Sequence, residues 1–208
     1  KWSFMTKMLA RLGHWRRKNT LSGSKKNIQE HYDLSNEMFM TFLDDTMTYS
    51  CGFFEKKNDS LYQSQINKID KIIDKADIKE KHHILEIGSG WGALAKRAVE
   101  RTGCKVTTIT LSERQHDYVK NMIKKENLEN SIDVQLVDFR NVEGSYDRIV
   151  SVEMIEAIGY DLFNSYFDKI EKLMKPNGTA VIQAITYPDD NYDIYLKGCD
   201  FIQKFIFP

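Results

Sequence analysis

Apolar positions recur at helical spacing early in the chain and give way to short apolar runs separated by turns later on. Over residues 61–76, Leu61, Ile66, Ile69, Ile72 and Ile73 fall on one side of a helix. A second helix is expected around Ile28–Leu43. Between them lies an uncharged, aromatic-rich loop, Thr46-Met47-Thr48-Tyr49-Ser50-Cys51-Gly52-Phe53-Phe54. From residue 83 strand and helix alternate. Strands are expected at His83–Ile87, Lys105–Ile109, Ile132–Leu136, Tyr146–Val152 and Thr179–Thr186, with helices at Ala93–Arg101, Glu113–Glu126 and Leu162–Met174. Pro176-Asn177-Gly178 stops the last of these helices. Such alternation implies an α/β fold with an open parallel sheet covered on both faces. Asn19–Lys26, with Ser, Gly and Asn, reads as a linker. Three regions follow: a segment 1–26, a mostly helical region 27–80, and an α/β core 81–208.

Composition and charge narrow the class. The chain has 208 residues, 41% of them apolar and 29% charged, which suits a packed core rather than a disordered chain. The longest uncharged stretch, Pro176–Pro188, has 13 residues, short of the roughly 20 that a membrane-spanning helix needs. Cys51, Cys104 and Cys199 are widely spaced and form no CxxC, which argues against a disulfide framework or a zinc site and for a reducing, cytoplasmic setting. The zero net charge hides an asymmetry: residues 1–26 carry +8 and no acid, so the remainder carries −8. Trp2, Phe4, Met5, Met8, Leu9, Leu12 and Trp15 gather on one side of a helical wheel, with Lys7, Arg11, Arg17 and Lys18 mostly opposite and Arg16 out of pattern. A basic amphipathic helix of this kind suits the surface of an anionic membrane, giving a peripherally associated protein. The alternative is a helix packed on its own acidic domain. Nucleic acid fits less well, because no base-reading motif follows and the rest of the chain is acidic.

The chemistry starts at Ile84-Leu85-Glu86-Ile87-Gly88-Ser89-Gly90-Trp91-Gly92, where the first strand turns into a helix. Glycines there permit a sharp turn and close approach of a ligand. A tight turn or a dinucleotide site would use the same pattern. Glu86 shifts the choice, because a carboxylate beside the turn repels a pyrophosphate and suits a cationic ligand. S-adenosylmethionine (SAM) carries an ammonium and a sulfonium and no phosphate. Gly88, Gly90 and Gly92 resemble motif I of the Rossmann-like SAM-dependent methyltransferases. The second strand ends Thr110-Leu111-Ser112-Glu113-Arg114-Gln115, with no acid at its tip for a ribose. Thr110 and Gln115 offer neutral hydrogen bonds instead, and Ser112 with Gln115 also reads as a capping box. Asp138-Phe139 falls where an adenine amide contact and ring stacking belong, although Phe139 also reads as core.

Several segments together resemble the cyclopropane-fatty-acid synthase family, which includes the mycolic-acid cyclopropane synthases and related fatty-acyl methyltransferases. They are Asn27-Ile28-Gln29-Glu30-His31-Tyr32-Asp33-Leu34, Thr46–Cys51, Ile84–Gly92, Thr110–Gln115, Asp147–Glu156 and Phe201–Pro208. The resemblance implies a class I SAM-dependent methyltransferase sheet with an N-terminal helical cap, whose last strands would follow residue 208. It implies methyl transfer from SAM to a cis double bond in the acyl chain of a membrane phospholipid. An alkene is a weak nucleophile, so orientation carries much of the rate. A carbocation then forms, and a dry tunnel with aromatic faces protects it. The Tyr49–Phe54 loop suits that lining.

By the same resemblance, Tyr49 and Ser50 touch the cofactor with Thr110 and Leu111, and Tyr32 lines the entrance. A bound bicarbonate serves as base, held by the Cys51 backbone amide, Glu156 and Gln183. Cys51 also reads as a small buried apolar residue, and Glu153 as a solvated charge at a helix start. No metal is implied, and a homodimer is left open. Two positions depart from well-known members: Ala157 and Gln183 each stand where those have His. A subset shares this pattern, and its products include methyl- and methylene-branched chains as well as cyclopropanes. Gln183 can donate to an anion but cannot titrate.

Overall fold

The computed structural model describes residues 36–191. The expected amphipathic helix in 1–26, the linker, Asn27–Leu34 with Tyr32, Cys199 and Phe201–Pro208 lie outside the described residues.

Helix α1 spans Asn36–Met40 and α2 spans Leu61–Lys75. Then follow β1 His83–Ile87, α3 Ala93–Thr102, β2 Lys105–Thr110, α4 Glu113–Lys125, β3 Ile132–Leu136 and β4 Tyr146–Val152. The chain continues with α5 Ile155–Ile158, α6 Phe163–Leu173 and β5 Met174–Gln183. A single helical turn, Phe139–Asn141, links β3 to β4. Five strands pair in the order β3-β2-β1-β4-β5, every pair parallel. The chain thus starts at the middle of the sheet, winds one way through β2 and β3, and returns through β4 and β5. Ligands in such sheets bind at the carboxyl ends of the strands where the winding reverses, here β1 and β4.

Alternation along the strands fills both faces. Ile84, Val106 and Val150 join Ile69, Ile72 and Ile73 of α2, Leu94, Ala95 and Ala98 of α3, and Val119 and Ile123 of α4. Leu85, Ile87, Ile109 and Ile149 face the other way, onto Phe139, Tyr166, Ile170 and Leu173. Helix α2 thus packs its apolar face into the core. Ser60 caps α2 by accepting from the Gln63 N–H at 3.1 Å, and Asp70 clamps α2 to α3 through two 2.9 Å bonds from Arg97.

Two elements differ from expectation. Within the described part of Ile28–Leu43, helix ends at Met40, and residues 41–43 turn. The last strand begins at Met174 and ends at Gln183, not Thr186. Its pairing with β4 skips from Tyr146–Met174 to Arg148–Thr179, so Pro176-Asn177-Gly178 forms an irregularity within the strand. Asn177 sits at φ 63°, and α6 has already ended at Leu173.

Candidate active site

A cavity of about 600 Å³ opens at the carboxyl ends of β1, β2 and β4. The turn after β1 forms one wall. The Gly88 and Ser89 N–H groups both donate to the Ile109 carbonyl, at 3.1 and 2.8 Å, tying the turn to β2. Gly90 takes φ 48°, and a Cβ built there meets nothing within 4 Å, so its missing side chain leaves open space on the cavity wall. Gly92 differs. A Cβ there would lie 2.7 Å from Met122 Cε and 3.2 Å from Val119 Cγ2, both on α4. Its role is close packing of α3 on α4, and it does not line the cavity, contrary to the cofactor contact expected of it.

Glu86 lines the cavity yet is 3% exposed. Burial pushes its carboxyl up to about 8, against a 2.6 Å hydrogen bond from Thr108 that favours the charged form. Thr110 donates to Gln115 Oε1 at 2.8 Å, which keeps the Gln115 amide hydrogens for another acceptor. Only half of the expected capping box forms: Ser112 accepts from the Gln115 N–H at 3.2 Å, while the Gln115 side chain turns to Thr110. Thr110, Leu111, Gln115 and Phe139 all line the cavity. Asp138 does not. Its two oxygens are taken by the Arg140 guanidinium at 2.8 and 2.6 Å, which leaves little for an adenine edge.

The same cavity is lined by Tyr49, Ser50, Lys68, Glu153, Glu156 and Ala157. Of the loop aromatics, Tyr49 lines the cavity, while Phe53 and Phe54 are exposed and Phe53 lies under the Lys71 ammonium at 4.5 Å. The other aromatic lining residues are Phe139 and Trp91, and the Trp91 ring packs on Phe39 at 4.8 Å while its Nε1 donates to Asn36 at 3.1 Å.

Cys51, Glu156 and Gln183 are brought to this end, but not as a shared anion pocket. Glu153 Oε1 accepts from the Cys51 backbone N–H at 3.0 Å and from Gln183 Nε2 at 2.8 Å. Gln183 Nε2 also lies 3.4 Å from Cys51 Sγ. Both N–H groups assigned to bicarbonate are engaged by the protein's own carboxylate, so the residues do not fit a resident bicarbonate. Cys51 is exposed rather than buried, and its thiol is raised, first by the hydrogen bond to Glu153, so it stays protonated at neutral pH. Glu156 Oε1 accepts from the Ile185 N–H, while Oε2 is buried with no partner among the described residues.

Glu153 and Lys68 are the residues that sequence reasoning missed here. Glu153 is no solvated charge: it lines the cavity at φ 47°, in a region that costs a side-chain-bearing residue about 1–3 kcal/mol. Lys68 is 4% exposed and donates to Ser50 Oγ. Burial lowers its ammonium to about 8, opposed by the Glu153 charge. A signal was present: Gln65, Lys68, Ile69 and Ile72 share one face of α2, and two polar residues on an apolar stripe need buried partners. Gln65 finds the Ser50 carbonyl at 2.8 Å.

The family model for mycolic acid cyclopropane synthetase matches residues 19–208. The chain belongs to this family. It is 41% identical over 195 residues to tuberculostearic acid methyltransferase UfaA1 of Mycobacterium tuberculosis, covering 89% of this chain and 45% of that protein. It is 36% identical over 160 residues to methoxy mycolic acid synthase MmaA3 of the same species, covering 77% of this chain and 55% of that protein. The chain thus spans about half the length of these curated relatives. Among solved structures, it superposes on the cyclopropane synthase MmaA2 from Mycobacterium tuberculosis with a TM-score of 0.81 and 32% identity, over 88% of this chain and 68% of that one. Mycolic acid cyclopropane synthase CmaA1, complexed with SAH and CTAB, gives a TM-score of 0.81 and 33% identity over the same shares. The sheet is that of the class I SAM-dependent methyltransferases, and coclaurine N-methyltransferase, at 24% identity and TM-score 0.67, shares the fold.

Proposed function

We propose that the protein transfers the methyl group of SAM to the cis double bond of an unsaturated acyl chain carried on a membrane phospholipid, giving a cyclopropane or a methylene-branched chain. The observation that carries this reading is one cavity lined by two unlike sets of residues: a glycine turn with a buried carboxylate, and Tyr49 with the carboxylates of Glu153 and Glu156. The names of UfaA1 and the CmaA1 complex with SAH support it.

The residues fit SAM. Gly90 leaves open space at the turn, Glu86 suits a cationic group, the Gln115 amide hydrogens remain for a ribose hydroxyl, and Phe139 offers a ring to adenine. When bound, SAM supplies an electrophilic methyl. Tyr49, Ser50 and Leu111 line the same cavity. Trp91 and Tyr49 exclude water and present π faces to charge that develops on the acyl chain. Residues 1–26, at +8, would take the protein to the anionic surface where such chains lie.

Incubation with SAM and vesicles of cis-unsaturated phospholipid, followed by lipid extraction and mass spectrometry, tests the reading. Phospholipid acyl chains should gain the mass of one methylene group. Methyl transfer confined to a soluble acceptor, or to free or mycolic acyl chains, would contradict the phospholipid assignment.

A further inference from the structure

Glu153 lies between two N–H donors brought from distant parts of the chain. The Cys51 backbone and the Gln183 side chain both donate to its Oε1, at 3.0 and 2.8 Å. Two donors on one oxygen fix the orientation of the carboxylate. The Lys68 ammonium, buried in the same wall and attracted by Glu153, adds a positive charge. No described residue donates to Oε2, which stays available on a side chain that lines the cavity. The Glu153 backbone is held at φ 47° by its own N–H, which donates to the Gln183 carbonyl at 2.9 Å. A strained position kept by hydrogen bonds on both backbone and side chain marks a site where placement matters more than local comfort. Gln183 completes the pattern: a neutral amide donates to a fixed carboxylate without competing for its proton.

From this arrangement we propose that Glu153 is the general base of the reaction, a built-in carboxylate in the place of an added bicarbonate. The proposal rests on the methyl-transfer reading above. Once the methyl carbon has bonded to one alkene carbon and its bond to sulfur has broken, the neighbouring chain carbon carries the positive charge. Glu153 Oε2 takes a proton from the transferred methyl. The released C–H pair forms the third bond of the ring, or, after a hydride shift along the chain, the methylene double bond. Glu153 is then a neutral acid, and its proton passes to water as product leaves. Glu156 is the competing base. It also lines the cavity, but its Oε1 has a single donor, Ile185 N–H, and its Oε2 is buried.

The test compares wild type, Glu153→Gln, Glu153→Gly and Glu156→Gln, each with bicarbonate stripped and restored. Calorimetry reads SAM affinity, lipid mass spectrometry reads product, and NMR with ¹³C-labelled bicarbonate reads anion binding. Wild type should turn over equally with and without bicarbonate and bind none of the label. Glu153→Gln should keep SAM affinity within about twofold and lose turnover by about 100-fold or more, the usual worth of a positioned base. Glu153→Gly relieves the positive φ and opens the anion position. It should bind labelled bicarbonate and recover turnover when bicarbonate or formate is added. Label bound by wild type, turnover lost on stripping bicarbonate, or full turnover in Glu153→Gln would each overturn the proposal. Loss confined to Glu156→Gln would do the same. A wild type that binds SAM but methylates no lipid contradicts the methyl-transfer reading, and the base falls with it.

Discussion

The two ends of the cavity are built in opposite ways. At the tips of β1 and β2 the wall is mostly backbone and neutral side chains, from residues 86–91 and 109–115 with Phe139 beside them. Its hydrogen bonds stay within one motif or between two adjacent strands: Thr110 to Gln115, the Gln115 N–H to Ser112, and the Gly88 and Ser89 N–H groups to Ile109. At the tips of β4 and β5 the wall is charged and assembled from afar. Cys51 meets Glu153 across 102 positions and Gln183 across 132. The first end needs only a turn of the right shape to receive a ligand. The second needs the whole sheet in register before its carboxylates and Lys68 find partners, because unpaired they would be costly to bury.

The sharpest contrast to break lies within the glycine turn. Gly90→Val should lower SAM affinity by about 100-fold or more, since its side chain would fill open cavity space, with only a modest fall in Tm from the positive φ. Gly92→Ala should do the reverse. Its methyl would press on Met122 and Val119, costing about 1–3 kcal/mol of stability, while affinity in the folded fraction stays near wild type. Calorimetry and thermal melts on both variants separate binding from packing. Equal effects on both readouts would erase the distinction.

Glu86 probes the cationic character of the first end. Its folded-state carboxyl, raised to about 8 by burial, holds a proton at neutral pH that the unfolded chain has released. Without ligand, this group's contribution to stability therefore declines as pH rises from about 4.5 to about 8 and is level above. A cationic ligand draws the carboxyl back toward ionisation. SAM binding at pH ~7 should then release close to one proton, read by calorimetry in buffers of different ionisation enthalpy. Glu86→Gln should abolish the release and weaken SAM by about tenfold. Release that persists in the variant would assign the proton elsewhere.

A smaller effect belongs to Lys68 at the second end. Its folded-state value, lowered to about 8 by burial, lies below the 10.5 of the unfolded chain, so its contribution to stability rises with pH between those values. Lys68→Met should remove that alkaline rise in Tm while changing neutral stability by about 1 kcal/mol or less, because burying a methionine in its place costs little. An unchanged pH profile would mean that Lys68 is solvated rather than buried.

Contiguity explains what could be read in advance. The strands β1, β3 and β4 were legible to the residue because their apolar runs are bounded by Gly, Asn or Ser signals, and the helices α2, α3, α4 and α6 because their apolar faces repeat. The glycine turn and the Thr110–Gln115 wall lie within single motifs, so their meeting in one cavity could be expected from the sequence. Asp138 is held by Arg140, two residues on, a local event that strand position does not reveal. Glu153 is the opposite case. Nothing within ten residues of it supplies its side-chain partners, and a carboxylate at a strand end looks like a solvated charge until Cys51 and Gln183 arrive.

In the reaction proposed for this cavity, a methyl group is delivered from SAM and a proton is then removed from it. SAM carrying a fully deuterated methyl, incubated with the protein and cis-unsaturated phospholipid vesicles, tests both halves in one spectrum. The acyl product should retain two of the three deuterons, the third having passed to the protein and then to water. An acyl chain that keeps all three, or label appearing only in a soluble product, would contradict it.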